Sequence, residues 1–295
     1  MPLLAVPNFS EGRDGARISA IETTLSRGVT LLDSHSDVDH NRSVFTIAGE
    51  TGPLRDVLVS AAEEAIETLD MNGHEGVHPA IGALDVCPIV WLNPTDRGAA
   101  RTEAIEVAEQ IGGLGVPVFL YGELATGPER VERAYFRNGG FGELWLRMED
   151  GKLHSDYGPS VPHRTAGATL VTARPPLAAF NIELDIGDTE VARAVAASLR
   201  EAGGGLPGVR AIGLPLTSGR AQVSTNVHDP LAVPLGAVIE RVRELATPLG
   251  ARPIEAELIG LIPEGALAGY PEDVPIRAFD PIHHVIERRL AAPTD

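Results

Sequence analysis

The chain has 295 residues, 24 of them basic and 41 acidic, for a formal net charge of −17. That balance argues against any partner recognised by neutralising phosphates, so neither nucleic acid nor an anionic membrane surface is an expected partner. Of the 24 basic residues only Lys152 is a lysine, so the other 23 are arginines. Lys152 sits in a polar turn with no glycine-rich phosphate motif around it, which points away from phosphate-loop and Schiff-base chemistry.

A hydrophobic fraction of 43% with 22% charged residues is enough for a packed core and argues against disorder. The single cysteine, Cys87, excludes an internal disulfide and a multi-cysteine zinc site. It lies in the apolar run Leu84-Asp85-Val86-Cys87-Pro88-Ile89-Val90 and reads as a small buried hydrophobe rather than a catalytic thiol. No apolar run reaches the ~18 residues of a membrane span, and the first residues lack the basic start and apolar core of a signal peptide. A cytoplasmic protein is expected.

In chain order, Leu3 to Val6 reads as a strand closed by Pro7. Ser10 is a candidate N-cap for a helix with Ile18, Ile21 and Leu25 at helical spacing, and Gly28 ends it. Two β-rich runs, Val29 to Asp33 and Ser43 to Ala48, flank the polar stretch Ser34 to Arg42. Gly52-Pro53 opens a second helix with Val57, Ala61, Ala65 and Leu69 on one face, and a strand follows between Gly82 and Leu92. The order is β-α-β-β-α-β.

The second half repeats it. Ala178 to Leu184, Val209 to Leu216, Ala221 to Val227 and Glu255 to Ile262 read as strands. Thr189 to Glu201 and Pro230 to Leu249 read as helices. Two copies of this order predict an α+β fold of two ferredoxin-like (βαββαβ) subdomains, each a sheet with helices on one face. The stretch from about Arg97 to Arg174 fits neither copy. It holds a helix (Ala100 to Ile111), a strand (Val116 to Leu120) and a Gly/Pro-rich loop from Gly151 to Gly167, the kind of long loop that often binds ligands.

Three clusters carry chemistry. His74 and His78, in Gly73-His74-Glu75-Gly76-Val77-His78-Pro79, match the letters H-E-x-x-H of a zinc protease. That motif needs a helix to bring both histidines to one face. The two glycines weaken a helix, and Pro79 biases His78 away from it, so a loop without metal is expected. A loop imidazole suits proton transfer better. The stretch Asp33 to Arg42 holds three carboxylates, two histidines and one arginine. It reads either as a solvated hairpin or as a group that orients a histidine and holds a carboxylate through Arg42. The stretch Tyr157 to Thr169 surrounds His163, Arg164 and several hydroxyls with turn residues, which suits an anion or pterin pocket.

Several segments, in order, resemble the formiminotransferase family: Val6-Pro7-Asn8-Phe9-Ser10-Glu11-Gly12, Asp39-His40-Asn41-Arg42-Ser43-Val44, His74-x-Gly76-x-His78-Pro79 with Gly82 to Pro88, Tyr121-Gly122-Glu123, Gly158-Pro159-Ser160, Ala179-Phe180-Asn181-Ile182 and Ala221 to Asn226. The resemblance spans nearly the whole chain. It implies an N-terminal subdomain over 1–176 and a C-terminal one over 177–295, with sheets facing each other, helices outside, and a homodimer. It implies transfer of a formimidoyl group from N-formimidoyl-L-glutamate to tetrahydrofolate, the latter as co-substrate. Small molecules are then the expected partners, and no metal is expected.

The family's catalytic histidine falls on His78. Asp37 and Asp39 are candidates to fix its tautomer. The family's folate-binding segment falls on Gly158, Pro159, Ser160, His163, Arg164, Thr165 and Gly167. Asn8, Arg42 and His74 are the further expected substrate contacts, with Arg42 and then Arg164 as the carboxylate-binding arginines. The chain departs from the family pattern at Ala80, where well-known members carry arginine. A related donor such as N-formylglutamate, or non-catalytic folate binding, are the alternatives. A net charge of −17 and anionic substrates together predict a local positive pocket around His78, Arg42 and Arg164.

Overall fold

The computed structural model describes residues 2–292 and divides into two compact units, Met1–Pro175 and Pro176–Asp295. Among the described residues, no helix is long and apolar enough to cross a membrane. Each unit is a β-sheet with packed helices, a mixed α and β architecture.

The first unit begins with two short strands, β1 (Leu3–Ala5) and β2 (Asn8–Phe9), then α1 (Gly15–Leu25), β3 (Thr30–Asp37), β4 (Arg42–Gly49), α2 (Pro53–Thr68) and β5 (Leu84–Val90). It continues with α3 (Arg97–Gly113), β6 (Val118–Leu120), α4 (Arg133–Arg137), α5 (Gly140–Glu149) and β7 (Thr169–Arg174). The sheet runs β3, β4, β1 with β2, β5, β7, β6; β7 pairs parallel with both β5 and β6, and the other pairs are antiparallel.

Side chains alternate across this sheet as strand geometry requires. Cys87 and Ile89 of β5 and Val171 and Ala173 of β7 face α1, α2 and α3. Val86, Leu170 and Phe119 face the other way and pack under Phe136 of α4 and Leu144 and Met148 of α5. The expected one-sided cover is therefore incomplete: the stretch from 97 to 174 adds two strands to the sheet and helices to both faces. Cys87 is fully buried, and burial pushes its thiol up to about 12, so it behaves as a core hydrophobe.

Two local expectations change. Asp14, not Ser10, caps α1; its carboxylate accepts from the N–H groups of Ala16 and Arg17. Ser10 instead donates through Oγ to the carbonyl of Gly82 at 2.7 Å. The polar stretch read as a loop is mostly strand. β3 and β4 stay paired through His35↔Val44, Ser36↔Ser43 and Asp37↔Arg42, with the two serine hydroxyls 2.8 Å apart. Cross-strand partners here outweigh the weak strand propensity of Asp and Ser.

The second unit runs β8 (Ala178–Leu184), α6 (Thr189–Leu199), β9 (Val209–Pro215), β10 (Ala221–Val227), α7 (Leu235–Ala246) and β11 (Pro253–Ile259), then short α8 (Pro281–His284) and α9 (Ile286–Ala291). Its sheet is antiparallel in the order β11, β8, β10, β9. Phe180, Ile182, Val223 and Val227 join Val195 and Leu199 of α6 and Val238 and Val242 of α7 in one core. The alternate positions Asn181, Glu183, Gln222 and Ser224 line up across β8 and β10, giving the other face a polar character.

Candidate active site

Three loops of the first unit meet where β4 and β5 begin, and Asn41 fastens them. Its Oδ1 accepts from the N–H of Gly12 at 3.0 Å, and its Nδ2 donates to the carbonyl of Glu75 at 3.0 Å. Asn41 sits at φ 47, in the left-handed region that asparagine tolerates better than most residues. Two glycines allow the close approach. A Cβ at Gly12 would lie 2.2 Å from the carbonyl oxygen of Asp37, and one at Gly76 would lie 2.3 Å from that of His40. Val77 N–H then donates to the carbonyl of Asp39 at 3.1 Å. These bonds hold residues 74–79 as a loop, so His74 and His78 do not share a helical face.

His78 is half-buried at the end of this loop. Arg42 Nη1 lies 3.1 Å from His78 Nε2. A guanidinium is only ever a donor, so His78 Nε2 must be the acceptor, and the imidazole is neutral with its proton on Nδ1. Burial first, then the charges of Arg42, Arg137, His40 and Arg133, hold His78 well below its ordinary value. The His40 ring stands edge-on to the His78 ring with centroids 5.9 Å apart.

The carboxylate of Asp37 serves His40 rather than His78: its Oδ2 lies 2.9 Å from His40 Nδ1, and its Oδ1 accepts from the His40 N–H at 2.7 Å. Burial alone would raise Asp37, but these two bonds outweigh it and bring it to about 2. Asp39 takes part through its backbone carbonyl. His74 Nδ1 lies 3.4 Å from Asn41 Nδ2, and burial lowers its pKa against the pull of Asp85. Asn8 Nδ2 donates to the carbonyl of Val6 at 2.8 Å and so shapes the bend between β1 and β2.

The Gly158–Gly167 segment is built around turns. Gly158, at φ 78, packs so closely on the end of α3 that a Cβ would lie 2.5 Å from the carbonyl oxygen of Val116. The carbonyl of Pro159 accepts from Ser155 Oγ at 2.8 Å. His163 and Gly167 exchange backbone bonds, and His163 Nδ1 accepts from the N–H of Ala166 at 3.0 Å, so this imidazole caps its own turn. The turn is strapped to the His78 side of the sheet. Ala168 N–H donates to Ile81 O, Ala83 N–H to Ala166 O, and Met71 N–H to Thr165 O. Ser160 and Arg164 are exposed, and the Arg164 charge acts on Asp70.

Several cations act on His78. Arg42 is bonded to it, the charges of Arg137 and Arg133 of α4 act on it as well, and Arg164 is exposed on its own turn. Arg137, 10% exposed, is bonded to Asp85, 2% exposed, whose other oxygen accepts from Ile81 N–H at 2.8 Å. Arg42 has no carboxylate bond among the described residues. Burial lowers its guanidinium to about 10, with Arg137 and Arg133 adding to the effect and Asp85 and Asp37 opposing it. It stays cationic at neutral pH.

With this geometry in hand, the comparisons with known proteins are specific. A formiminotransferase domain, N-terminal subdomain, matches residues 3–174, and a formiminotransferase domain matches residues 179–270. The chain belongs to the formiminotransferase family. It is 37% identical to the glutamate formimidoyltransferase of Streptococcus pyogenes over 97% of each chain. It is 36% identical to that of Thermoplasma acidophilum, over 89% of this chain and 88% of the other. The formimidoyltransferase-cyclodeaminase of Rattus norvegicus is 37% identical over 89% of this chain, which accounts for 50% of that longer protein.

In this formiminotransferase, the residues that motif reading passed over are His40, Asp85, Tyr121, Arg133, Arg137 and Arg174. His40, Asp85 and Tyr121 lie inside segments that carry the family resemblance. Arg133, Arg137 and Arg174 lie in a stretch with no local pattern, and only the packing of α4 over β5 and β7 gathers them.

Proposed function

We propose that this formiminotransferase moves a formimidoyl group from N-formimidoyl-L-glutamate to tetrahydrofolate, with His78 as the general acid and base. The observation that carries this reading is the neutral imidazole of His78, held by an arginine that makes no carboxylate bond among the described residues. Tetrahydrofolate N5 attacks the formimidoyl carbon, a new C–N bond forms, and a tetrahedral adduct results. N5 loses its proton to His78. The bond from that carbon to the glutamate nitrogen then breaks, and the proton passes from His78 to the leaving nitrogen. An imidazole with a pKa near or below neutrality can act in both directions, for about 10²- to 10⁴-fold in rate.

Arg42 ties binding to chemistry. While it occupies Nε2, that lone pair cannot take a proton. A substrate carboxylate is the better acceptor for a guanidinium, as a charge-assisted and often bidentate pair. Drawing Arg42 onto the carboxylate frees Nε2 at the moment the donor arrives. Arg133 and Arg137 keep positive charge beside His78 where family members carry an arginine and this chain has Ala80. Residues Gly158 to Gly167 are read as the folate-binding edge, with Asn8 and His74 as further contacts. The reading requires no metal.

It also takes both units, residues 1–176 and 177–295, as ferredoxin-like subdomains, because the first four strand positions of each sheet follow the same βαββαβ order. A homodimer in the cytoplasm completes it, and light scattering in solution tests the dimer. The full-length match to a glutamate formimidoyltransferase does not favour an N-formylglutamate donor or folate binding without turnover. The test is direct: mixing the protein with tetrahydrofolate and N-formimidoylglutamate should yield formimidoyl-tetrahydrofolate and free glutamate.

A further inference from the structure

The second face of the first sheet carries more positive charge than one substrate-binding arginine requires. Leu170, Thr172 and Arg174 alternate onto this face along β7, as do Phe119 and Tyr121 at the end of β6. Tyr121 is tied down at its backbone: its N–H donates to Val171 O at 3.1 Å, and its carbonyl accepts from Thr172 Oγ1 at 2.7 Å. The next residue, Gly122, donates to Val131 O at 3.1 Å, which brings the lead-in to α4, and with it Arg133, over the same place.

The Arg133 side chain makes no hydrogen bond or ion pair among the described residues, although it is half-buried. The Arg174 guanidinium bonds only the carbonyl of Pro175 among the described residues, at 2.9 Å. The Tyr121 hydroxyl, on a residue 8% exposed, makes no hydrogen bond among the described residues. Burial lowers Arg174 to about 10 and raises Tyr121, and Arg133 acts on both. The charge of Arg133 also acts on Arg42 and His78. Asp85 is the carboxylate whose charge recurs among these groups, and it is already bonded to Arg137. Unpaired guanidiniums at half-buried positions cost stability, and an anion of matching geometry removes that cost. Most other arginines in the chain do have such partners, such as Arg243 on Asp273 and Arg288 on Glu264.

We propose that Arg133, Arg174 and the Tyr121 hydroxyl form a second carboxylate seat, which holds one carboxylate of the one-carbon donor while Arg42 takes the other beside His78. This rests on the transferase reading above. It adds a requirement for a dicarboxylate. The glutamyl tail of a folate offers the same chemistry, and the kinetic arm below separates the two sources.

The experiment uses glutarate, a dicarboxylate that cannot react, with butyrate as the single-carboxylate control. Calorimetry on wild type, Arg133→Gln, Arg174→Gln and Arg174→Lys reads binding whether or not the protein turns over any donor. Each glutamine variant should weaken glutarate by about 10- to 100-fold, with Arg174→Lys affected less and butyrate unchanged. The ligand-free glutamine variants should melt no lower than wild type, since each removes a half-buried charge that has no carboxylate bond. Glutarate binding equal to wild type in both glutamine variants, or a clear fall in their melting temperatures, would overturn the seat. In turnover, the KM for N-formimidoylglutamate should rise and that for tetrahydrofolate should stay within about two-fold. A rise confined to tetrahydrofolate would overturn the assignment to the donor.

Discussion

Arg42 Nη1 donates to His78 Nε2 at 3.1 Å, so the candidate catalytic base is capped by a cation. Three consequences follow from this pair: His78 is neutral, its proton is on Nδ1, and its lone pair is released only when Arg42 finds a better acceptor.

The first prediction concerns pH. The base must be neutral to act, so kcat/KM should fall on the acid side with an apparent pKa below the ordinary imidazole value of about 6.5. Replacing Arg42 with glutamine removes the cation bonded to Nε2, and a lost neighbouring cation raises an imidazole pKa. The acid limb of Arg42→Gln should therefore move to higher pH, and its donor KM should rise. A pH–rate profile of both proteins reads the shift.

Stability should also depend on pH. His78, His74 and His35 are all held below their ordinary values, in each case chiefly by burial. In the unfolded chain they titrate near 6.5, so below that pH the unfolded state binds more protons than the folded one. Their contribution is complete above about 6.5 and is lost as pH falls toward the depressed folded values, at up to about 1.4 kcal/mol per pH unit for each proton. Asp37, at about 2 in the fold, acts at lower pH: its contribution is present above its unfolded value and is lost as pH falls toward 2. Urea unfolding between pH 5 and 8 should show the histidine slope, and His78→Gln should flatten it.

Asn41 is the fastener of the site, so Asn41→Ala should cost about 2–4 kcal/mol, from two lost side-chain bonds and a left-handed φ on alanine. Asn41→Gly keeps the backbone conformation and should cost less. Both should lower turnover, because Asn41 holds the loop that carries His78. Denaturant midpoints and kcat measured side by side check this. Gly76→Ala, with its Cβ against the His40 carbonyl, should behave as badly as Asn41→Ala.

The absence of a helical frame around His74 and His78 yields a fourth expectation. Dialysis against a chelator should leave transfer activity unchanged, and added zinc should not increase it. Loss of activity that zinc restores would contradict the loop-based reading.

Much of the fold was legible because its periodicities are strong. Ala178 to Leu184 and Ala221 to Val227 alternate cleanly between core and polar positions, and both strands lie at those bounds. β7 was not legible, since Thr169–Arg174 is buried almost throughout and carries no alternation to read. α4 has five residues and no pattern, so the arginines it delivers to His78 could not be placed. At the site, the loop around His78 could be read from Gly73, Gly76 and Pro79, and Arg42 from its charge in a polar turn. Arg164 has the same chemistry in a similar turn, yet it is exposed. Local sequence distinguishes residue types that can bind an anion, but which of them reaches the site is decided by pairings between distant segments. The partnership of Asp37 with His40 was missed for the opposite reason: the two are three residues apart, and the turn geometry joins the Asp37 carboxylate to His40 instead of His78.

The most direct measurement is formation of formimidoyl-tetrahydrofolate by wild type and His78→Ala, with folate binding followed by calorimetry on the same samples. The account predicts turnover by wild type, a loss of about 10²- to 10⁴-fold in kcat for His78→Ala, and a folate Kd changed by no more than about two-fold. A His78→Ala protein that transfers the group at a rate close to wild type would contradict it.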